Sequence, residues 1–183
     1  MGSNPDILAV VAEAMAAKGA PRIDLNCGCP ANVVTGKGAG SSMLRTPDLV
    51  HDCIRAMVAA ASGRAPVTVK MRSGFADTGE FFCQEGAGFF QTGAREQRPR
   101  SPAGLFEANV AAAEAAGASF LTLHPRTKVQ TYQGRADWSL IRRAREVARV
   151  PVIGNGEARG SPQQPGSGTR EKRKAMPLCC QVT

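Results

Sequence analysis

Arg22-Ile23-Asp24-Leu25-Asn26-Cys27-Gly28-Cys29-Pro30 is the stretch on which the reading of this chain turns. Ile23 and Leu25 alternate with Asp24 and Asn26, the two-residue period of a strand with one apolar and one polar face. Gly28 and Pro30 then end the ladder and leave Cys29 at the mouth of a loop. A strand buried on both faces has no use for Asp24 and Asn26. A polar strand face running into a cysteine at the strand's C-terminal end is how an α/β barrel displays its chemistry.

Upstream, Asn4-Pro5-Asp6 reads as helix cap, first-turn proline and first-turn acid. Ile7, Leu8, Val11 and Met15 follow at helical spacing until Gly19 and Pro21 stop the helix. Downstream, Thr46-Pro47-Asp48 repeats the start signal, Val50, Ile54, Met57 and Val58 form one face, and Gly63 ends the second helix. A second strand is predicted over 66–72, with Val67, Val69 and Met71 on one side and Thr68, Lys70 and Arg72 on the other. A third helix, Leu105 to Ala116, closes at Gly117 and leads into a strand from Ser119 to His124. Asp137 caps a fourth helix marked by Trp138, Ile141, Ala144 and Val147, and Val150 to Asn155 is the fourth strand. Four alternations of helix and strand predict a parallel α/β sheet with right-handed crossovers. Asn26 and Cys29, Lys70, His124 and Asn155 then gather at the C-terminal edge, where such sheets keep their sites.

The chain has 183 residues, enough for one domain with a core. A complete eight-fold barrel needs about 250 residues, so the barrel reading implies a partial one. Half of the net charge of +8 sits in residues 158–183, so charge alone makes a weak case for an RNA partner. Six scattered cysteines fit a reduced, intracellular protein better than a disulfide scaffold. Cys27-Gly28-Cys29 has a single spacer and the only histidines are His51 and His124, which argues against a zinc site; no metal is expected. No run is long and apolar enough to span a membrane, and Asp6 and Glu13 are out of place in a secretory signal. Residues 80–104 are aperiodic, and 158–183 are Gly/Pro/Ser/Gln-rich and then basic. Both are read as disordered and as untranslated-looking sequence, such as a retained intron or a frameshift.

Each candidate residue has a plain alternative. A buried packing thiol and a reactive one are about equally good readings of Cys29. Lys70 is either a solvated strand-end lysine or the cation for an anionic ligand on the polar side. His124, with no histidine partner, is a core residue or a ligand contact rather than a metal ligand. Asn155-Gly156-Glu157 alone is an ordinary turn. Gly36-Lys37-Gly38-Ala39-Gly40 lacks the spacing of a phosphate loop and reads as a glycine-rich loop, solvated or functional.

Asn26-Cys27-Gly28-Cys29-Pro30 resembles the Asn-x-Gly-Cys-Pro signature of the tRNA-dihydrouridine synthases, flavoenzymes that reduce uridine in tRNA. Further runs resemble that family in its own order. They are Val67-Thr68-Val69-Lys70-Met71-Arg72, His124-Pro125-Arg126-Thr127, Tyr132-Gln133-Gly134 with Ala136-Asp137-Trp138, and Gly154-Asn155-Gly156, where Glu157 replaces the family's Asp. The likeness covers most of 3–79 and 105–157. It implies FMN as cofactor and NADPH as electron donor, with Cys29 the general acid that protonates uracil C5 while flavin N5 delivers hydride to C6. An ordinary thiol, with a pKa of about 8.5, still holds that proton at neutral pH. By the same resemblance Lys70, His124, Asn155, Gly156 and Glu157 contact FMN, and Asn26, Lys37 and Arg126 face the RNA. Cys27, offset from Cys29 by two, reads on its own as a core residue.

The expected fold is therefore a partial TIM (β/α)8 barrel of about four parallel strands. It spans residues 1–157 as an FMN-binding unit with an irregular insert at 80–104, followed by a disordered basic tail at 158–183. The family's first two strands, last two strands and helical tRNA-binding domain have no counterpart, so this chain is expected to be weakly active or inactive. Four strands would also leave two edges unpaired. A monomer in the cytoplasm is expected, or in a plastid or mitochondrion behind a targeting segment. The rival readings are another FMN barrel oxidoreductase acting on a small molecule, and a non-catalytic RNA-binding fragment.

Overall fold

The structure, a computed structural model, describes residues 1–76, 104–133 and 135–156. The expectations for the insert and the tail fall almost wholly outside these residues, as does Glu157. Helix α1 spans Pro5–Ala17 and starts as its sequence predicts: Asn4 Oδ1 accepts the Ile7 N–H at 3.0 Å, with Pro5 in the first turn. Strand β1 is Ile23–Cys27. The segment after it, which reads as a glycine-rich loop, is instead built from a one-turn helix α2 (Asn32–Thr35) and a 3-10 helix at Gly40–Arg45. Then come α3 (Pro47–Ala61), β2 (Val67–Gly74), α4 (Leu105–Ala115), β3 (Leu121–Thr127), α5 (Ser139–Val147) and β4 (Val152–Gly154).

All four strands are parallel, in the order β1-β2-β3-β4. Ile23 pairs with Val67, Val69 with Leu121, and Leu121 with Val152. A doubly wound sheet reverses its strand order partway; a barrel adds each new strand beside the last. The helices also follow one another around one side, α1 against α3, α3 against α4 and α4 against α5. The fold is therefore part of a (β/α) barrel, with its helices outside.

The core lies between that helix layer and the strands. Ile23, Leu25, Val67, Val69, Leu121 and Val152 meet Val50, Ile54, Met57, Phe106, Val110 and Ile141 there, all at most 5% exposed. Each such large side chain contributes roughly 1.5–3 kcal/mol by leaving water. Asn109 ties α4 to the 3-10 helix by donating Nδ2–H to the Leu44 carbonyl at 2.7 Å. Buried Glu107 pairs with Arg143 to join α4 to α5.

Several local expectations shift. In α1 the buried stripe is Leu8, Ala12 and Ala16, and the larger Ile7, Val10, Val11 and Met15 are 40% to 68% exposed. In this i, i+4 stripe the small Ala12 and Ala16 let α1 lie close to its neighbours, and the bulkier face looks away. Thr46 precedes α3 without a side-chain cap bond. Asp137 does serve the start of α5, accepting from both the N–H and the hydroxyl of Ser139. Strands β2 and β3 each run past their predicted ends. The register slips between Arg72 and Gly74, where β3 carries one extra residue next to Pro125, whose ring nitrogen has no hydrogen to donate. Gly154 is required where it stands, because a Cβ there would lie 2.7 Å from the Trp138 ring.

Candidate active site

The sheet face opposite the helices is polar, as the alternation predicts. Its rows follow from the register. Asp24 lies beside Thr68, which donates its hydroxyl to the carboxylate at 2.7 Å. One step on, Asn26 is level with Lys70, and Lys70 with Thr122. The next row pairs Arg72 with His124, and the Asn155 N–H reaches back to the Leu123 carbonyl. Four neighbouring strands thus carry Cys29, Lys70, His124 and Asn155 at one common edge.

Cys29 is half-buried and its backbone is held from several sides. Asn26 Oδ1 accepts the Gly28 N–H at 2.9 Å, an Asx turn that bends the chain out of β1. The Cys29 carbonyl accepts from both the N–H (3.0 Å) and the hydroxyl (2.9 Å) of Ser41. Asn26 therefore shapes the cysteine loop, a structural part in addition to the one expected for it. Cys27 is fully buried, as expected, and burial first of all pushes its thiol far up, so it stays protonated within the core.

His124 is 8% exposed, and its Nδ1 lies 2.8 Å from the Asn155 carbonyl. A carbonyl only accepts, so Nδ1 carries the proton and Nε2 keeps a lone pair. That Nε2 is buried without a partner among the described residues. Burial pushes the imidazolium below its usual range; the Asn155 carbonyl opposes this, while the Arg72, Lys70 and Arg126 cations add to it. Burial and then Arg72 likewise push the half-buried Lys70 ammonium down, against a counter-pull from Asp24 and Cys29. Gly156, at φ +153°, is close enough that a Cβ would sit 3.6 Å from the His124 ring.

A testable consequence follows for His124. Its pKa is depressed in the folded state, so the unfolded chain takes up the proton first as pH falls below about 6.5. The contribution is present above that pH and is lost as pH falls through the window between the unfolded and folded values. The melting temperature of the wild type is expected to drop more steeply than that of His124→Gln between about pH 7 and 5. Parallel pH profiles would show that His124 does not titrate differently on folding.

The remaining expected residues divide. Arg126 is buried on β3 and acts electrostatically on both His124 and Arg72. Lys37 stands exposed on the turn after α2, and among the described residues its side chain enters none of the hydrogen bonds that join the strand ends. Asn155 is exposed at the rim. Three residues matter more than the sequence suggests. Gly40, at φ +63°, lets the backbone pass so close to Cys29 that a Cβ would fall 2.8 Å from its carbonyl oxygen. Phe75, at the end of β2, lies under the Arg45 guanidinium at 3.6 Å and the Lys128 ammonium at 5.1 Å, packing the segment after β1 against the strand ends. Arg72 is buried with its guanidinium spanning two loops. The sequence marks it only by its alternation onto the polar face and its place at the end of the Val67–Arg72 run.

These residues suit a flavin. The unpartnered Nε2 of a neutral His124 asks for a donor on whatever binds, and Lys70, Arg72 and Arg126 favour an electron-rich ring beside it. No group of three or more His, Cys, Asp or Glu side chains placed to hold a metal occurs among the described residues.

Fold and site together define a barrel-type α/β protein whose site is assembled from the C-terminal ends of successive strands. Within that class, the chain belongs to the dihydrouridine synthase (Dus) family, whose sequence model matches residues 1–97 and 105–164. The match runs through residues 80–97 of the segment read as an insert, skips only 98–104, and continues to 164, into the segment read as a tail. The chain is 39% identical over 153 residues to a probable tRNA-dihydrouridine synthase 1 of Synechocystis, covering 84% of this chain and 36% of that protein. It is 37% identical over 157 residues to the tRNA-dihydrouridine(16) synthase of Pseudomonas putida, covering 86% and 41%. It is also 37% identical over 158 residues to the enzyme of that name in Salmonella typhimurium, covering 86% and 43%. The chain thus spans about two fifths of the length of the curated relatives it matches.

Proposed function

We propose that the protein reduces uridine to 5,6-dihydrouridine in tRNA, with Cys29 as the general acid. Family membership, together with a half-buried thiol displayed on the polar strand-end face, carries this reading. FMN, when bound, supplies the hydride for uracil C6, and NADPH restores it. Lys70, His124, Asn155 and Gly156 line the place for the ring, with Glu157 next in the chain. His124, kept neutral by burial and by its cationic neighbours, offers Nε2 as an acceptor and does not compete to donate the proton. The Cys29 thiol donates that proton to C5 of a uracil flipped out of the tRNA stack, and Ser41 fixes the backbone that carries the thiol. Asn26, Arg126 and Lys37 are on the nucleic-acid side.

For the 183 residues by themselves we propose weak activity or none. The four described strands leave one edge of β1 and one of β4 without a partner among the described residues, and flavin phosphate in such barrels relies on loops after the last strands.

Deleting the gene and measuring nucleosides from purified tRNA by mass spectrometry tests the function. Loss of dihydrouridine at a defined position, restored by the intact gene, is the expected result. Unchanged dihydrouridine at every position would point to the RNA-binding or small-molecule alternatives.

A further inference from the structure

We propose that Arg72 is the positioning residue for Cys29, a clamp that locks the cysteine loop to the loop after β3. Arg72 sits on β2, between the two, and is only 4% exposed. Its Nε–H donates to the Gly28 carbonyl at 3.0 Å, the peptide group immediately before Cys29. Its Nη1 donates to the Thr127 carbonyl at 2.9 Å and to the Thr131 carbonyl at 2.8 Å. Three acceptors, 44 to 59 residues away in sequence, thus share one planar fork. Thr131 needs such a hold, since it is one of two non-glycine residues at positive φ among those described.

The hold on Cys29 is two-sided. Ser41 takes the Cys29 carbonyl with two donors, and Arg72 takes the carbonyl of Gly28. With both flanking peptide groups tied, the thiol has little freedom besides its own χ1 rotation. The buried guanidinium also explains why the next residue along the fork, Tyr132, lies with its ring 5.4 Å from it. Lysine cannot replace this group: an ammonium keeps the charge but has no planar fork to reach three carbonyls in two loops.

This inference rests on Cys29 being the reactive thiol, yet its test needs neither flavin nor tRNA, so the two can fail separately. The test alkylates the whole 183-residue chain with iodoacetamide and reads each cysteine by peptide mass spectrometry, in the wild type and in Arg72→Lys. Cys27 and Cys53, both fully buried, report global opening within the same molecules. Arg72→Lys is expected to raise the Cys29 labelling rate on the order of tenfold, through loss of charge-assisted bonds, with Cys27 and Cys53 still protected. Backbone hydrogen exchange over residues 127–133 should rise in the same variant. A Cys29 rate within about twofold of wild type overturns the proposal, since bonds of this kind cannot be lost so cheaply. So does a common rise at all three thiols, which would mean that Arg72 holds the sheet and not the loop.

Discussion

Replacing Cys29 by alanine in the gene is expected to reduce dihydrouridine at the affected tRNA position to background, with the protein still folded. General-acid catalysis is typically worth about 10²–10⁴-fold, and a loss of that size leaves no modification visible in steady-state tRNA. The side chain is half-buried at a loop, and its backbone is fixed by Ser41 and Arg72 rather than by its own sulfur. Removing the sulfur therefore changes the melting temperature little while removing the proton donor. Serine at the same place keeps the size but is a much weaker acid, and is expected to be nearly as defective. Cys27→Ala gives the contrasting pattern: the thiol lies fully buried beside Met43, with its sulfur 4.0 Å from the Met43 sulfur, so stability falls while the modification persists in the folded fraction. Normal dihydrouridine in the Cys29→Ala strain would remove this residue from the chemistry.

Gly40→Ala has the second large effect. The position combines φ +63° with a Cβ site 2.8 Å from the Cys29 carbonyl oxygen, 3.0 Å from Val34 Cγ1 and 3.2 Å from Cys29 Cβ. The left-handed backbone alone costs a non-glycine residue roughly 1–2 kcal/mol. Of the clashing atoms, the carbonyl cannot yield, because Ser41 holds it with two hydrogen bonds. The sum comes to about 2–4 kcal/mol, or a melting temperature lower by about 5–15 °C. Relief of the clash has to move Cys29 itself, so the folded fraction should also lose activity. Gly63→Ala is the control. It shares a positive φ, +73°, but nothing lies within 4 Å of its Cβ site, and its cost is expected to be the backbone part alone. Equal melting temperatures for the two variants would show that the contact with Cys29 is slack.

The elements that organise the sheet were legible because their period and their punctuation agree. Ile23 and Leu25, Val67 and Val69, and Leu121 and Leu123 all turn toward the helices, and Asn4-Pro5-Asp6 starts α1 as its chemistry dictates. The strand-end residues follow from the same alternation, which is why Lys70 and His124 share the polar face. What could not be read depends on distant partners. Helix α1 offers two apolar stripes at nearly the same spacing, and only the presence of α3 decides that Leu8, Ala12 and Ala16 are the buried set. The glycine-rich run after Cys29 carries no period, yet it is shaped by Ser41, by the Arg45–Phe75 contact and by Lys128 bonding Asn32 Oδ1 at 3.3 Å. Arg72 is one charged residue on a strand until the carbonyls of Gly28, Thr127 and Thr131 are placed around it.

The outward side of α1 has a practical consequence. Ile7, Val10, Val11 and Met15 run along it as an aliphatic ridge turned to water. Two copies meeting ridge to ridge would shed that wetted surface at once, without unfolding anything.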